Sequence, residues 1–189
     1  MRITGGKFRG RTLTGPKDDR VRPTSDMVRQ AVFNVLAHND FGAGFTLDGV
    51  KVLDLFAGTG ALGIEALSRG AKFCLFVDDH PESRALIREN VEALNLTGAS
   101  KIWRRDATSL GPMAANAGGP YDLIFLDPPY RKSLVPLALA SARVGQWLAP
   151  NAVAVVELAE DEEFTVPEGF ALHDARSHGD TKVAILIAS

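Results

Sequence analysis

Cysteine is almost absent. Cys74 is the single one among 189 residues, so no intrachain disulfide can form. It sits in an apolar run and reads as a small core residue rather than a nucleophile. Long hydrophobic runs are missing as well. No stretch reaches the ~18 residues that a membrane span requires. The opening residues, M-R-I-T-G-G-K-F-R-G, lack the apolar segment of a signal peptide. There is no G-K-[ST], which excludes a P-loop, and there is no internal repeat or low-complexity tract. These absences make a cytoplasmic, soluble protein without a membrane partner the expectation, with monomer as the default state. At 46% hydrophobic residues the chain can bury a full core, and its length fits one domain with a small appendage.

Negative charge is scarce at one end only. The first 29 residues hold eight Lys or Arg (Arg2, Lys7, Arg9, Arg11, Lys17, Arg20, Arg22, Arg29) against three acids, a balance of +5. The other 160 residues therefore carry -7 of the total -2. A basic arm on an acidic body is a common way to hold a polyanion, and a solvated terminus is the plain alternative.

Hydrophobic periodicity divides the chain at about residue 46. Residues 1–23 are basic and glycine-rich, with extended or hairpin character. A helix then starts at R-P-T-S, capped by Thr24 or Ser25, with Val28, Val32, Val35 and Leu36 on one face and an end near His38. From residue 47 onward strands and helices alternate. Strands are expected at 50–56, 73–77, 101–104, 121–127 and 152–157, with two more at 170–173 and 182–187. Helices are expected at 61–69, 81–96 and 134–148. This alternation predicts an α/β fold with a doubly wound, mostly parallel sheet of seven strands and an N-terminal basic hairpin and helix extension.

Residues 52–63 read V-L-D-L-F-A-G-T-G-A-L-G. Gly58, Gly60 and Gly63 satisfy G-x-G-x-x-G between a strand and a helix, and Asp78 ends the next strand 20 residues after Gly58. Glycines let a backbone approach a ligand, and Asp78 can accept from ribose hydroxyls. The glycines alone do not choose among adenosine-containing cofactors. Asp54 does, because a carboxylate there repels a pyrophosphate but attracts a sulfonium or an ammonium. At ~4 Å and an effective dielectric of 20, each interaction is worth roughly 4 kcal/mol, with opposite signs. S-adenosyl-L-methionine is the cofactor that fits. Asp106, just past the third strand, is placed for the adenine edge or for a loop cap.

Residues 121–130 read Y-D-L-I-F-L-D-P-P-Y, an apolar strand that stops on Asp127, Pro128, Pro129 and Tyr130. An exocyclic amine is a poor nucleophile because its lone pair is conjugated with the ring. Acceptors for both its N–H groups draw the nitrogen toward tetrahedral geometry. Asp127 and the carbonyl of Pro128 supply two such acceptors, and two prolines fix that carbonyl's direction. Tyr130 can stack on the unstacked base. A nicotinamide-dependent oxidoreductase explains the glycines and Asp78 but neither Asp54 nor D-P-P-Y. A non-catalytic RNA-binding module and a DNA-adenine methyltransferase are the other readings.

V-L-D-L-F-A-G-T-G and D-P-P-Y resemble the cofactor loop and catalytic motif of class I amino-methyltransferases, which are Rossmann-like. With R-I-T-G-G-K-F-R-G-R-T-L, R-P-T-S-D-M-V-R-Q-A-V-F-N-V-L, A-L-G-I-E-A-L-S-R-G-A and the closing G-D-T-K, the chain resembles the RsmD-type 16S ribosomal RNA guanine-N2 methyltransferases over nearly its whole length. The resemblance implies that Asp54, Phe56, Ala57, Gly58 and Gly60 line the methionine side of S-adenosyl-L-methionine. Asp78 and Asp79 would serve the ribose, and Asp106 and Ala107 the adenine. Asp127, Pro128, Pro129 and Tyr130 would hold the target guanine. Arg2, Lys7, Arg9 and Arg11 would touch phosphates of 16S ribosomal RNA, within a small-subunit assembly particle. Arg22, Thr24 and Arg29 would close over the site. The sequence departs from the family in Asp78-Asp79-His80, where Glu-x-Asp is common, and His80 reads as a helix-start residue.

Overall fold

The computed structural model describes residues 1–18 and 24–189. Seven strands form one sheet: β1 (Lys51–Leu55), β2 (Phe73–Val77), β3 (Ser100–Trp103), β4 (Tyr121–Leu126), β5 (Leu148–Ala159), β6 (Phe170–His178) and β7 (Thr181–Ala188). Their order is β3-β2-β1-β4-β5-β7-β6. The first five are parallel, and β7 runs antiparallel between β5 and β6. Among the described residues, four α-helices flank the sheet: α1 (Asp26–Ala37), α2 (Ala61–Ser68), α3 (Pro81–Ala93) and α4 (Leu134–Val144). The strand order reverses between β1 and β4, and a doubly wound sheet binds its ligands in the crevice beyond that point. Val52 lies on one face with Phe76 and Phe125, whereas Leu53, Leu55 and Leu126 lie on the other, so both faces carry a core.

The helix ends follow from local chemistry. Ser25 caps α1, its side chain accepting from Val28 N at 3.2 Å, and Asp26 adds an acid to the first turn. Pro81 opens α3. The expected helix at 134–148 is corrected, because α4 stops at Val144. Gln146 is left-handed (φ 61°), and Trp147 N donates back to Ala142 O at 3.0 Å. This closure normally takes glycine, so the stop was not visible in a glutamine. The expected strands at 152–157 and 170–173 are likewise longer, running Leu148–Ala159 and Phe170–His178.

The N-terminal segment does not stand apart from this core. Ile3 and Leu13 are buried with Val28, Phe33 and the sheet. An antiparallel bridge joins Arg2 to Thr12. Glu65 of α2 is 0% exposed and accepts from Thr4 N at 2.9 Å. Ser68 donates to Gly5 O at 2.7 Å and accepts from Phe8 N at 3.0 Å. Asn90 of α3 accepts from Thr14 N at 2.7 Å and donates to the carbonyls of Thr14 and Thr59, each at 3.0 Å. The basic turn is thereby pinned to two helices and to the glycine loop.

Gly63 shows how tightly α2 lies on the sheet. A Cβ there would come within 2.5 Å of Phe76 and 2.6 Å of Cys74. Gly63→Ala should therefore destabilise the fold by about 1–3 kcal/mol, the usual cost of overpacking. Urea unfolding measures it, and an unchanged midpoint would contradict the packing described.

Candidate active site

The loop between β1 and α2 takes three left-handed residues, Phe56 (φ 56°), Gly58 (φ 59°) and Gly60 (φ 80°). The two glycines adopt this region without strain, whereas Phe56 does so at a cost. Ala57 N donates to Val77 O at 3.1 Å, tying the loop to the end of β2. Gly58 N donates to Asp78 Oδ2 at 2.9 Å, and His80 N donates to Asp78 Oδ1 at 2.9 Å. Asp78 is half-buried, and burial raises its carboxyl above the usual range. Asp79 is exposed, and Ala57 and Ala107 are buried in the core beside the loops. Asp106 is exposed, and its Oδ1 accepts from Thr108 N at 2.8 Å and Thr108 Oγ1 at 2.7 Å. That is the loop-cap arrangement, and these bonds hold its carboxyl below the usual range.

Asp54 is 1% exposed, lies beneath the glycine loop, and accepts from Gly63 N at 3.0 Å through Oδ2. Gly60 caps α2 without a side chain, and Asp54 supplies the acceptor from the strand below. Burial pushes its carboxyl well above the usual range. The loop at residues 56–60 carries no basic side chain, and the acids around it suit hydroxyls and cationic groups rather than a pyrophosphate. This donor set fits S-adenosyl-L-methionine.

Asp127 follows β4, whose Leu126 pairs with Leu55 of β1 and with Val156 of β5. The next residue on β5 is Glu157, only 7% exposed, so two carboxyls stand side by side at the end of the sheet. Thr24 Oγ1 lies 3.0 Å from Asp127 Oδ2 and 2.9 Å from Glu157 Oε2. Tyr130 donates to Glu157 Oε1 at 3.0 Å and lies 3.1 Å from Thr181 Oγ1. Burial first, then the neighbouring Glu157, pushes the Asp127 carboxyl well above the usual range. Pro128 is buried and Pro129 exposed, as expected of a rigid strand exit. Glu157 and Thr181 were missed in the sequence. The available signal was that β5, like β4, runs an apolar stretch into a carboxylate.

A family model described as conserved hypothetical protein 95 matches residues 1–187. The chain belongs to that family, the RsmD family. Ribosomal RNA small subunit methyltransferase D of Escherichia coli (strain K12) is 35% identical over 181 residues, covering 95% of this chain and 85% of that protein. The Bacillus subtilis (strain 168) protein YlbH is 35% identical over 188 residues, covering 98% and 97%. The solved structure of yhhF from Escherichia coli superposes with a TM-score of 0.81 at 30% identity, covering 100% of this chain and 97% of that one. The fold is that of a Rossmann-like class I methyltransferase.

Within this RsmD-family chain, two of the residues expected to close over the site are buried. Arg29 is 0% exposed. Its guanidinium pairs with Asp26 at 2.8 Å, donates to Thr24 O at 3.2 Å and bonds the Arg2 carbonyl. It thus ties α1 to the N-terminal segment. Thr24 is 6% exposed, with its hydroxyl between Asp127 and Glu157, so it stands in the carboxyl cluster. Arg22 lies outside the described residues. Arg2, Lys7, Arg9 and Arg11 are all exposed.

The raised Asp127 carboxyl has a consequence for stability. A group that binds its proton more tightly when folded contributes stability fully below the ordinary carboxylate range. That contribution is lost as pH rises through the raised value. Asp127→Asn, neutral throughout, should gain stability relative to the parent from mildly acidic to neutral pH, with the difference closing in acid. Thermal melts across pH read this directly, and a pH-independent difference would contradict it.

Proposed function

We propose that this chain methylates the exocyclic N2 amine of a guanine in 16S ribosomal RNA, with S-adenosyl-L-methionine as the methyl donor. The observation that carries the reading is Asp127-Pro128-Pro129-Tyr130 at the end of β4, beside the glycine loop that follows β1. The name of the Escherichia coli relative, which acts on small-subunit ribosomal RNA, supports the substrate class. The exposed Arg2, Lys7, Arg9 and Arg11 support a polyanion partner. Small basic arms recognise shape as well as charge, which favours a partly assembled small-subunit particle as the acceptor. In this reading residues 1–46 hold the RNA and residues 47–189 carry out the transfer in the cytoplasm, as a monomer.

The cofactor supplies an activated methyl on a sulfonium. Around it, Gly58 and Gly60 let the backbone approach, Asp78 is aimed at the ribose, and Asp106 stands at the adenine end. Asp127 and the Pro128 carbonyl each accept one N–H of the target amine, which frees its lone pair. The Tyr130 hydroxyl is anchored on Glu157, which fixes the ring that supports the flipped base. Extruding a base costs a few kcal/mol. Aligning amine and methyl contributes roughly 7–11 kcal/mol, so positioning dominates the rate.

Transfer of labelled methyl to unmodified 16S RNA and to small-subunit particles tests the reading. The parent should label one or both, and Asp127→Ala should cut turnover at least a hundredfold while cofactor affinity holds, as expected when a group acting only in the transition state is lost. Tight cofactor binding without transfer to either acceptor would contradict the assigned substrate. Removing charge at Arg9 and Arg11 should also flatten the salt dependence of RNA binding, by roughly 0.7 in log–log slope per lost phosphate contact. An unchanged slope would leave the arm a structural element.

A further inference from the structure

The carboxyl cluster holds one hydrogen too few for two carboxylates. A threonine hydroxyl donates one hydrogen bond. Thr24 Oγ1 nevertheless stands at hydrogen-bonding distance from both Asp127 Oδ2 (3.0 Å) and Glu157 Oε2 (2.9 Å). Both contacts are hydrogen bonds only if the carboxyl donates one of them, which makes one member of the pair an un-ionised acid. The surroundings select which. Glu157 accepts a second hydroxyl, that of Tyr130, at 3.0 Å, and Tyr130 can accept in turn from Thr181 at 3.1 Å. Every hydrogen is used if Asp127 donates to Thr24, Thr24 donates to Glu157, and Tyr130 donates to Glu157 from the other side. Glu157 then keeps the charge. Among the described residues, ionisable groups close by include Asp54 of β1, whose carboxylate form would also disfavour an ionised Asp127, and Arg29, whose guanidinium holds the Thr24 carbonyl.

We infer that Glu157 is the final proton acceptor of the methyl transfer, reached from the target amine through Asp127 and the Thr24 hydroxyl. The inference rests on the amine-methylation reading above. In the step, the amine nitrogen forms a bond to the methyl carbon while the carbon–sulfur bond of the sulfonium donor breaks, and sulfur keeps the bonding pair. The nitrogen's surplus proton moves to Asp127 Oδ1. The proton on Asp127 Oδ2 moves to Thr24 Oγ1, and the Thr24 proton moves to Glu157 Oε2. Asp127 stays neutral throughout and Glu157 ends as an acid. A neutral Asp127 also keeps a carbonyl-type oxygen turned to the amine. Glu157 touches neither substrate nor cofactor in this scheme and works through Asp127.

Infrared spectroscopy of the protein alone, at neutral pH, tests the pair. The parent should show a carboxylic-acid carbonyl stretch that Asp127→Asn removes, distinct from any band of the buried Asp54, which Asp127→Asn and Glu157→Gln would both keep. Glu157→Gln should remove it too, although Asp127 is untouched. The new amide donates to Thr24, which then donates to an ionised Asp127. A parent without the band, or a Glu157→Gln variant that keeps it, would overturn the assignment. In turnover, Glu157→Gln should lower kcat by about a hundredfold, the lower end for a lost proton transfer, with KM for RNA and affinity for S-adenosylhomocysteine retained. Thr24→Val should show the same loss, and Thr24→Ser should recover most of it. A Glu157→Gln or Thr24→Val enzyme as fast as an active parent would sink the relay. A parent that transfers no methyl would sink the reaction and the relay together, and the infrared band would still decide whether Asp127 holds the proton.

Discussion

One hydroxyl, that of Thr24, stands between two carboxyls at the end of the sheet, and that arrangement gathers three parts of the chain. Thr24 comes from the N-terminal segment, Asp127 from the exit of β4, and Glu157 from β5. The carboxyls lie side by side because β4 and β5 are parallel and in register, Leu126 against Val156. Buried acids are costly unless bonded or neutralised, so the cluster needs Thr24 and Tyr130 in place. The N-terminal segment is therefore part of the site and not only an arm beside it.

Its docking explains how a short segment with few strand bonds stays ordered. Glu65, Ser68 and Asn90 accept or donate to its backbone, and Ile3 and Leu13 enter the core. Asn90 also bonds the carbonyl of Thr59, inside the glycine loop. The surface expected to meet RNA and the loop expected to meet the cofactor thus share one buried side chain. The glycine loop in turn is fixed by Asp78 from β2 and by Asp54 through Gly63. Asp54 on β1, Asp78 just past β2 and Asp106 past β3 thus hold loops along one end of the sheet.

Much of the fold was legible because its signals are local. Phe73–Val77 was placed at the observed limits by its apolar run, and Ser25 and Pro81 mark helix starts through capping and a fixed φ. The mostly parallel pairing followed from strands alternating with helices over much of the chain. What escaped was set by tertiary contacts. The end of α4 depends on a left-handed glutamine, and β6 runs on to His178 by pairing with β7. In the site, D-P-P-Y and the glycines stood out because each motif is contiguous. Glu157 did not, since its meaning comes from lying next to Asp127 across the sheet. Arg29 was misjudged for a related reason. Its charge suggested a surface partner, whereas Asp26 and two backbone carbonyls neutralise it inside the protein.

The account depends above all on Asp127 and the Pro128 carbonyl gripping an exocyclic amine. The position of the transferred methyl on the modified nucleoside is the measurement that tests this most directly. Digestion of methylated RNA, followed by chromatography and mass spectrometry against authentic standards, resolves it. The account predicts the methyl on N2 of guanine. A methyl on a ring carbon, a ring nitrogen or a ribose oxygen would contradict it, because none of those acceptors offers the two N–H groups for which this site supplies acceptors.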